Sequence, residues 1–585
     1  MELLQPQRAQ HARDPRGAAR AAEHEVLEPE QLDALAADVL GAESIGPDLT
    51  RLVRRTAEGN PLYLEEVLKA LRQGGRIWYE GAKARLKDPE LDARLPDTLA
   101  GLIAARVDAL DPLAKGALQV AAVVGMGFSP GLLAEAVGAD EPMVLIGELV
   151  RAGLVTPDGR SPDTAYSFSS VLVWECVNRG ILGVQRREYH RMVANAMERV
   201  YGDRLDASVE AFAQHCHAGG RISDAIRSIH RAGEDHREAQ FFERALDCYI
   251  RGIGWHDAAP RADKDPQMEA RLHVGAGEVA RLLGLSSAER MLSVALDIAA
   301  ESGPRVAEAR ALLGLGQLYA ARGKLALARA NVEDAAGIAR RSGDLTLHIQ
   351  CLEVLGQVAL DEGEVDEARG IYERGLAAAG ERSDLAARML LGLANHASRR
   401  GDARAGADLL QTALPHAERS GDRVLLGRVI NNIGIARLDD GRPAEALVEF
   451  RRALELRRGL GYRPGEVVNL HNIGDTLLRM GDMGRAWAAF EQSRELASDC
   501  AWDRGVVMND VFLHYLRGVR GEDVTALLDA DAALANRLGE RDMAYTARWS
   551  VLRLRGDVEG ALDLAAECDS AGFPALAKQI REATT

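Results

Sequence analysis

Seven polar residues in the second half of the chain fall at matched places in a repeating pattern: Asn395, Arg428, Asn431, Asn432, His471, Asn472 and Asp475. Arg428 stands six residues before Gly434, with Asn431 and Asn432 between them. His471 and Asn472 hold the equivalent places before Gly474, Asp475 follows it, and Asn395 follows Ala394 one unit earlier. Positions i, i+3, i+4 and i+7 of a helix share one stripe. A carboxamide is both donor and acceptor, so a ladder of asparagines can pair with the backbone of an extended peptide. The same amides can equally satisfy neighbouring helices or water. The chemistry on offer is recognition of a protein or peptide partner.

Other reactive residue types do not assemble into sites. In His215-Cys216-His217 the adjacent side chains diverge on a helix and no third ligand is evident, so no metal is expected. Glu65-Glu66 and Asp439-Asp440 are paired carboxylates on exposed helical faces, without a partner to poise a general acid. No GxSxG, HExxH, kinase or cyclase pattern occurs, so no catalytic residue and no cofactor are expected. The six cysteines (Cys176, Cys216, Cys248, Cys351, Cys500 and Cys568) are scattered, which suits buried thiols in a reducing cytoplasm. With 72 basic against 88 acidic residues and a net charge of −16, a nucleic-acid partner is disfavoured. No apolar run reaches the roughly 20 residues of a membrane helix.

The elements that must position the seven residues announce themselves by period. Gly323, Gly363, Gly401, Gly441, Gly481, Gly521 and Gly556 recur at intervals of 40, 38, 40, 40, 40 and 35. Ala328, Ala368, Gly406, Ala446, Ala486, Ala526 and Ala561 follow five residues behind them. A fixed period of this size means stacked helical units, hence a solenoid with a long concave surface. Within one unit, Gly441 ends a first helix, and Ala446, Phe450 and Ala453 lie on one face of a second. Ser342-Gly343-Asp344 and Ser420-Gly421-Asp422 fall between units, where Gly can end one helix and Asp cap the next.

The order Ile433-Gly434, Gly441, Ala446, Phe450, repeated at Ile473-Gly474, Gly481, Ala486, Phe490, resembles the tetratricopeptide repeat in a lengthened form. The resemblance implies that the first helix of each unit lines the concave face, which would place the seven polar residues in the groove. Asparagines at matching positions serve that purpose in tetratricopeptide proteins.

A second series is independent of the repeats. It runs from Gly59-Asn60-Pro61 through Leu95-Pro-Asp-Thr-Leu99, Ala105-Arg-Val-Asp108 and Ala121-Ala-Val-Val-Gly125 to Tyr166-Ser-Phe168 and Arg186-Arg-Glu-Tyr-His190. It is similar to the middle of the STAND-class signalling ATPases, where a small helical domain and a winged helix follow the nucleotide-binding core. The resemblance implies a packing role for His190 and His215, and an internal hinge role for the winged helix. Two departures stand against nucleotide control. No GxxxxGK[ST] string occurs, and fewer than 60 residues precede Gly59; Phe168 is followed by Ser169-Ser170 where the family places a histidine sensor. Gly59, Asn60 and Pro61 are thus the remnant of a nucleotide motif that cannot hold ATP alone, and no nucleotide is expected.

These readings converge on an all-α chain: a disordered leader (1–24), a lid-like helical domain (25–100), a winged-helix-like domain (101–204) and a right-handed solenoid superhelix of about nine repeats (205–585). The expected function is that of a non-catalytic regulatory scaffold, cytoplasmic, binding a protein or peptide in its groove, with no membrane or nucleic-acid partner. The alternative is the sensor half of an ATP-dependent signalling protein whose nucleotide-binding domain lies upstream or on another chain.

Overall fold

The structure is a computed structural model that describes residues 29–57, 64–65, 67–68, 71–72, 75–87, 99–158, 165–302 and 305–584. The leader and Gly59, Asn60 and Pro61 lie outside these residues. The chain divides into two compact units, 1–221 and 222–585.

The first unit opens with α1 (Pro29–Leu40) and α2 (Pro47–Ala57). Here the structure adds what the helical expectation for 25–100 omitted: a small sheet. Strand β1 (Ser44–Ile45) runs parallel to β3 (Lys83–Leu86), which pairs antiparallel with β2 (Ile77–Glu80). Ile77-Trp78-Tyr79 are strand formers, and Gly81, at φ +66, supplies the tight turn between β2 and β3. Ile77, Ala84 and Leu86 bury their side chains with Leu49, Leu52 and Leu68. Asp48 accepts from the Leu86 amide at 2.8 Å, and Tyr79 donates to the Leu40 carbonyl at 2.8 Å.

Beyond α3 (Leu99–Asp108) come α4 (Pro112–Val124), β4 (Gly127–Phe128), α5 (Pro130–Val137), α6 (Pro142–Arg151), β5 (Val155–Pro157) and β6 (Tyr166–Phe168). The sheet order is β4–β6–β5, both pairs antiparallel, which is the element order of a winged-helix-like module. Its helices start where the sequence tells them to. Asp111 and Ser129 each cap an orphan amide and are followed by a proline whose fixed φ suits the first helical position. The unit closes with α7 (Val171–Arg179), α8 (Gly183–Tyr201) and α9 (Val209–Gly219).

The second unit is helical throughout its described residues. Nine antiparallel pairs and a terminal helix follow one another: α10 (Ile222–Glu238), α11 (Phe242–Ala258), α12 (Pro266–Leu282), α13 (Ala288–Ser302), α14 (Arg305–Ala321), α15 (Leu325–Ser342), α16 (Leu345–Glu362), α17 (Val365–Ala379), α18 (Ser383–Arg399), α19 (Ala403–Ser420), α20 (Arg423–Asp439), α21 (Pro443–Gly459), α22 (Arg463–Arg479), α23 (Met483–Asp499), α24 (Asp503–Val519), α25 (Thr525–Arg537), α26 (Arg541–Arg555), α27 (Val558–Ser570) and α28 (Pro574–Thr584). The caps read from the sequence are present. Asp344 and Asp422 accept from the amides of Leu347 and Leu425 at 2.9 and 3.0 Å. Ala446, Phe450 and Ala453 are fully buried. Small residues opposite large rings set the spacing of the pairs. A Cβ on Gly434 would lie 2.6 Å from the Phe450 ring, so only glycine lets the two helices approach this closely.

Hydrogen bonds also join helices far apart in sequence. Gln240 reaches Asp422 and the Arg423 amide, 182 and 183 residues away. Trp502 and Arg504 donate to the carbonyls of Ala321 and Ala320, 181 and 184 residues away. The stack therefore coils so that units about four and a half repeats apart touch, and the first helices of the pairs face inward.

Candidate functional site

Four of the seven sequence-predicted residues form one hydrogen-bonded chain across the inward helices. Asn472 donates to the Asn431 carbonyl oxygen at 2.9 Å, and Asn431 donates to Asn432 at 3.2 Å. Asn432 in turn donates to Asn395, which donates to Gln357 at 3.5 Å, and Gln357 donates to the Asp361 carboxylate at 2.9 Å. Every donor points the same way, from α22 through α20 and α18 to α16, and the chain ends on a negative charge. Such an aligned series polarises its members cooperatively. Asn469, fully buried, also donates to Asn431 at 2.8 Å. Asn395, Asn432 and Asn472 are half-buried and keep an N–H or lone pair beyond the bonds named, so they are potential peptide contacts, whereas Asn431 is buried and braces them.

The other three residues go elsewhere. Arg428 is ion-paired to Glu353, which also receives Arg388 at 2.9 Å; Arg388 then reaches Asp422 at 2.6 Å. Burial pushes the Glu353 carboxyl up, but Arg428 and Arg388 outweigh it and hold it down to about 2. His471 bonds Asn509 through Nδ1 at 3.2 Å and packs edge-on to Phe512. Asp475 pairs with Arg479 at 3.0 Å.

His471 and Asp475 also line a cavity of about 960 Å³ inside the solenoid. Its walls come from the inward helices α20, α22, α24, α26 and α28 and the end of α18. Phe512, Tyr515 and Trp549 give it an aromatic side, with the Arg553 guanidinium 5.1 and 5.6 Å from the Tyr515 and Trp549 ring centres. Asp439, Asp542, Arg400 and Lys578 add charges of both signs. The arrangement can hold a ligand carrying both apolar and charged groups, and it is of the size usual for a ligand pocket.

Sequence reasoning missed Gln357, Asp361, Glu353 and Arg388. A register signal was present. Arg310, Arg388 and Arg428 each stand six residues before Gly316, Ala394 and Gly434. Asp361, Arg399, Asp439 and Arg479 each stand two before a turn glycine, so acid and base alternate along the inner face. Asp361 and Arg399 meet at 3.5 Å.

In the first unit, His190 and His215 meet, Nδ1 to Nδ1 at 2.9 Å. Burial lowers both to about 4, helped by Arg186 at His190 and by His190 at His215. Both rings are neutral in the fold down to about pH 4, whereas in the unfolded chain they protonate near 6.5. Between those values the unfolded chain binds more protons, so stability falls as pH drops through that window. The melting temperature of the first unit is expected to decline from pH 6.5 to 4, and to decline less in a His190→Gln/His215→Gln variant.

In the second unit, His256, Asp257 and Glu269 bring possible metal-ligand atoms within 4.8 Å of one another. His256 Nε2, however, accepts from the Asp265 amide at 3.1 Å, which leaves the proton on Nδ1, the atom 3.7 Å from Glu269. With its proton there, Nδ1 offers no lone pair to an ion.

The geometry defines a helical-repeat solenoid with a mixed polar and aromatic inner surface. Residues 385–459 and 429–499 match the family model described as tetratricopeptide repeat, and residues 28–85 match a domain of unknown function (DUF8739). The chain carries tetratricopeptide repeats. No curated protein matches it. Among solved structures it is similar to a Signal Transduction ATPase with Numerous Domains (STAND) protein with a tetratricopeptide repeat sensor from Pyrococcus horikoshii. That likeness has 13% identity and a TM-score of 0.49, covering 92% of this chain and 74% of the other. A Rap protein complexed with competence and sporulation factor is similar at 13% identity and a TM-score of 0.41, with 57% of this chain and 98% of the other covered. The apo form of the quorum sensor NprR from B. thuringiensis is similar at 11% identity and a TM-score of 0.36, over 62% of this chain and 98% of the other. No helix among the described residues is long and apolar enough to cross a membrane.

Proposed function

We propose that this chain is a non-catalytic regulatory scaffold that takes a protein or peptide partner on the inner face of its solenoid. The observation that carries the reading is the juxtaposition, on consecutive inward helices, of the directed amide chain and the cavity lined by His471 and Asp475. An extended peptide laid there would exchange backbone hydrogen bonds with Asn395, Asn432 and Asn472, braced from beneath by the buried Asn431, while Arg428 and Asp475 would sort its charged side chains. Binding energy would come from side chains seated against Phe512, Tyr515 and Trp549. The six free cysteines support a reducing, cytoplasmic setting, and no nucleic acid or membrane is assigned as partner.

Selection from a displayed random-peptide library tests the reading. Selected peptides are expected to bind Asn432→Ala and Asn472→Ala about tenfold more weakly, the value of one or two hydrogen bonds. No enriched peptide, or equal binding to both variants, overturns it.

The winged-helix-like element order ahead of the repeats favours one second reading, a sensor half of an ATP-dependent switch, with 25–100 as lid-like and 101–204 as hinge modules. Thermal melts with MgATP and MgADP separate the two. A nucleotide that binds the folded form must raise the melting temperature by mass action, and the scaffold reading expects no shift.

A further inference from the structure

We propose that Arg281, Arg428 and Arg457, gathered around Tyr462 where one coil meets the next, form a binding site for phosphate, taken as the free anion or as the phosphoryl group of a larger ligand. Coiling brings these residues together. The end of α12 packs against the turn between α21 and α22, where Leu460 and Tyr462 join the apolar cluster of Tyr249, Leu272 and Leu283. Arg281 lies in the last turn of α12. Arg457 comes from α21, and its stem lies along glycines of two inward helices. A Cβ at Gly427 would stand 3.7 Å from Arg457 Cγ, and one at Gly465 only 2.7 Å from Cδ. The Arg457 Cζ is 5.9 Å from the centre of the Tyr462 ring. Tyr462 is within electrostatic reach of all three guanidinium groups.

The cluster carries charge without balance. Arg388 and Arg428 share Glu353, and Arg388 also holds Asp422. Glu278, the other acid near Arg281, is committed to Arg310 at 2.5 Å. Arg281 and Arg457 form no ion pair among the described residues, and the buried Nε of each has no hydrogen-bond partner there. Arg457 is 4% exposed and donates only to the Gly465 carbonyl, at 2.5 Å. Arg281, Arg388, Arg428 and Arg457 thus meet two carboxylates, Glu353 and Asp422, in a chain whose net charge is −16. Burial holds Arg457 down to about 10 and lowers Arg281 as well, whereas at Arg428 Glu353 outweighs burial. A buried cation is costly unless it is paired. A surplus of two positive charges matches a phosphoryl group, which carries about −1.5 to −2 near neutral pH, better than it matches one carboxylate. Guanidinium forks also fit its oxygens in pairs. Arg428 is 34% exposed and Arg281 half-buried, so the site is open to solvent.

Calorimetric titration of the full chain at neutral pH and constant ionic strength tests the assignment, with inorganic phosphate, a short phosphoserine peptide and acetate as probes. Phosphate is expected to bind saturably, and about tenfold more weakly in Arg281→Gln, the value of one charge-assisted hydrogen bond. Arg457→Met keeps the stem and removes the charge. It is expected to melt no lower than the parent without phosphate and to lose phosphate binding. Inorganic phosphate binding at least as tightly as the peptide supports the site as one for the free anion, and tighter binding of the peptide supports a phosphorylated ligand. No saturable binding of either, acetate binding as tightly as phosphate, or equal affinity in the parent and Arg281→Gln overturns the proposal. So does an Arg457→Met variant that melts lower and binds phosphate unchanged. The site goes beyond the peptide reading, and a failed selection from random peptides would leave it standing.

Discussion

Glu353→Gln lowers the stability of the solenoid around α16, α18 and α20 by about 3–5 kcal/mol, the usual consequence of removing one partner from a buried ion pair. Among the described residues Glu353 carries the carboxylate that bridges Arg388 to Arg428, and its side chain is 12% exposed. Its depressed value agrees. A carboxyl held at about 2 against 4.5 in the unfolded chain contributes about 3 kcal/mol at neutral pH. The sign follows from the direction of the shift. The contribution is complete above pH 4.5 and is lost as pH falls towards 2, where the folded state must also take up the proton. Hydrogen exchange at pH 7 should show the loss in residues 345–439 and not in the first unit, because repeat stacks transmit stability chiefly to their neighbours. Between pH 4.5 and 2 the variant should lose less further stability than the parent. A change under about 1 kcal/mol would mean that the two guanidinium groups do not depend on this carboxylate.

Phe450→Ala costs about 3–5 kcal/mol, because a ring with no solvent exposure leaves a cavity that rigid helices cannot fill. Phe450 packs with Leu438, Ala446, Leu470 and Phe490, so its loss loosens α20 to α23, the helices carrying Asn431, Asn432, Asn469 and Asn472. Gly434→Ala is the complementary change, adding a methyl against the same ring at about 1–3 kcal/mol. The two sites share one space and cannot be additive. Gly434→Ala in a Phe450→Leu background should cost less than in the parent, by urea midpoints at unchanged slope. Additive costs would show that the ring and the glycine do not interlock.

How much of the site was legible can be judged residue by residue. Asn395, Asn431, Asn432 and Asn472 were found because they sit in register with the glycine pattern, and a helix converts register into a shared face. That they would bond one another rather than stand open was not legible, since side chains one unit apart are about 40 residues apart in sequence and meet only when units stack. Glu353 shows the limit more sharply. Its bond to Arg428 spans 75 residues, and nothing local to α16 says that two arginines from later helices will converge on it. In the first unit, Ile77-Trp78-Tyr79 carried a strand signal that the surrounding helical pattern masked.

The sequence by itself determined the solenoid. Gly at the helix ends, Asp at the caps and the Ala–Phe–Ala face are local choices whose energies are settled within a repeat and its neighbour, so they can be read along the chain. Only the tertiary structure decided that the stack coils tightly enough for units about 180 residues apart to touch, closing one coil against the next. That closure depends on the small rotation between neighbouring units summed over four to five of them. No single residue encodes the sum, which is why Gly323 reads in the sequence as one more turn glycine and in the fold as the place where two coils meet.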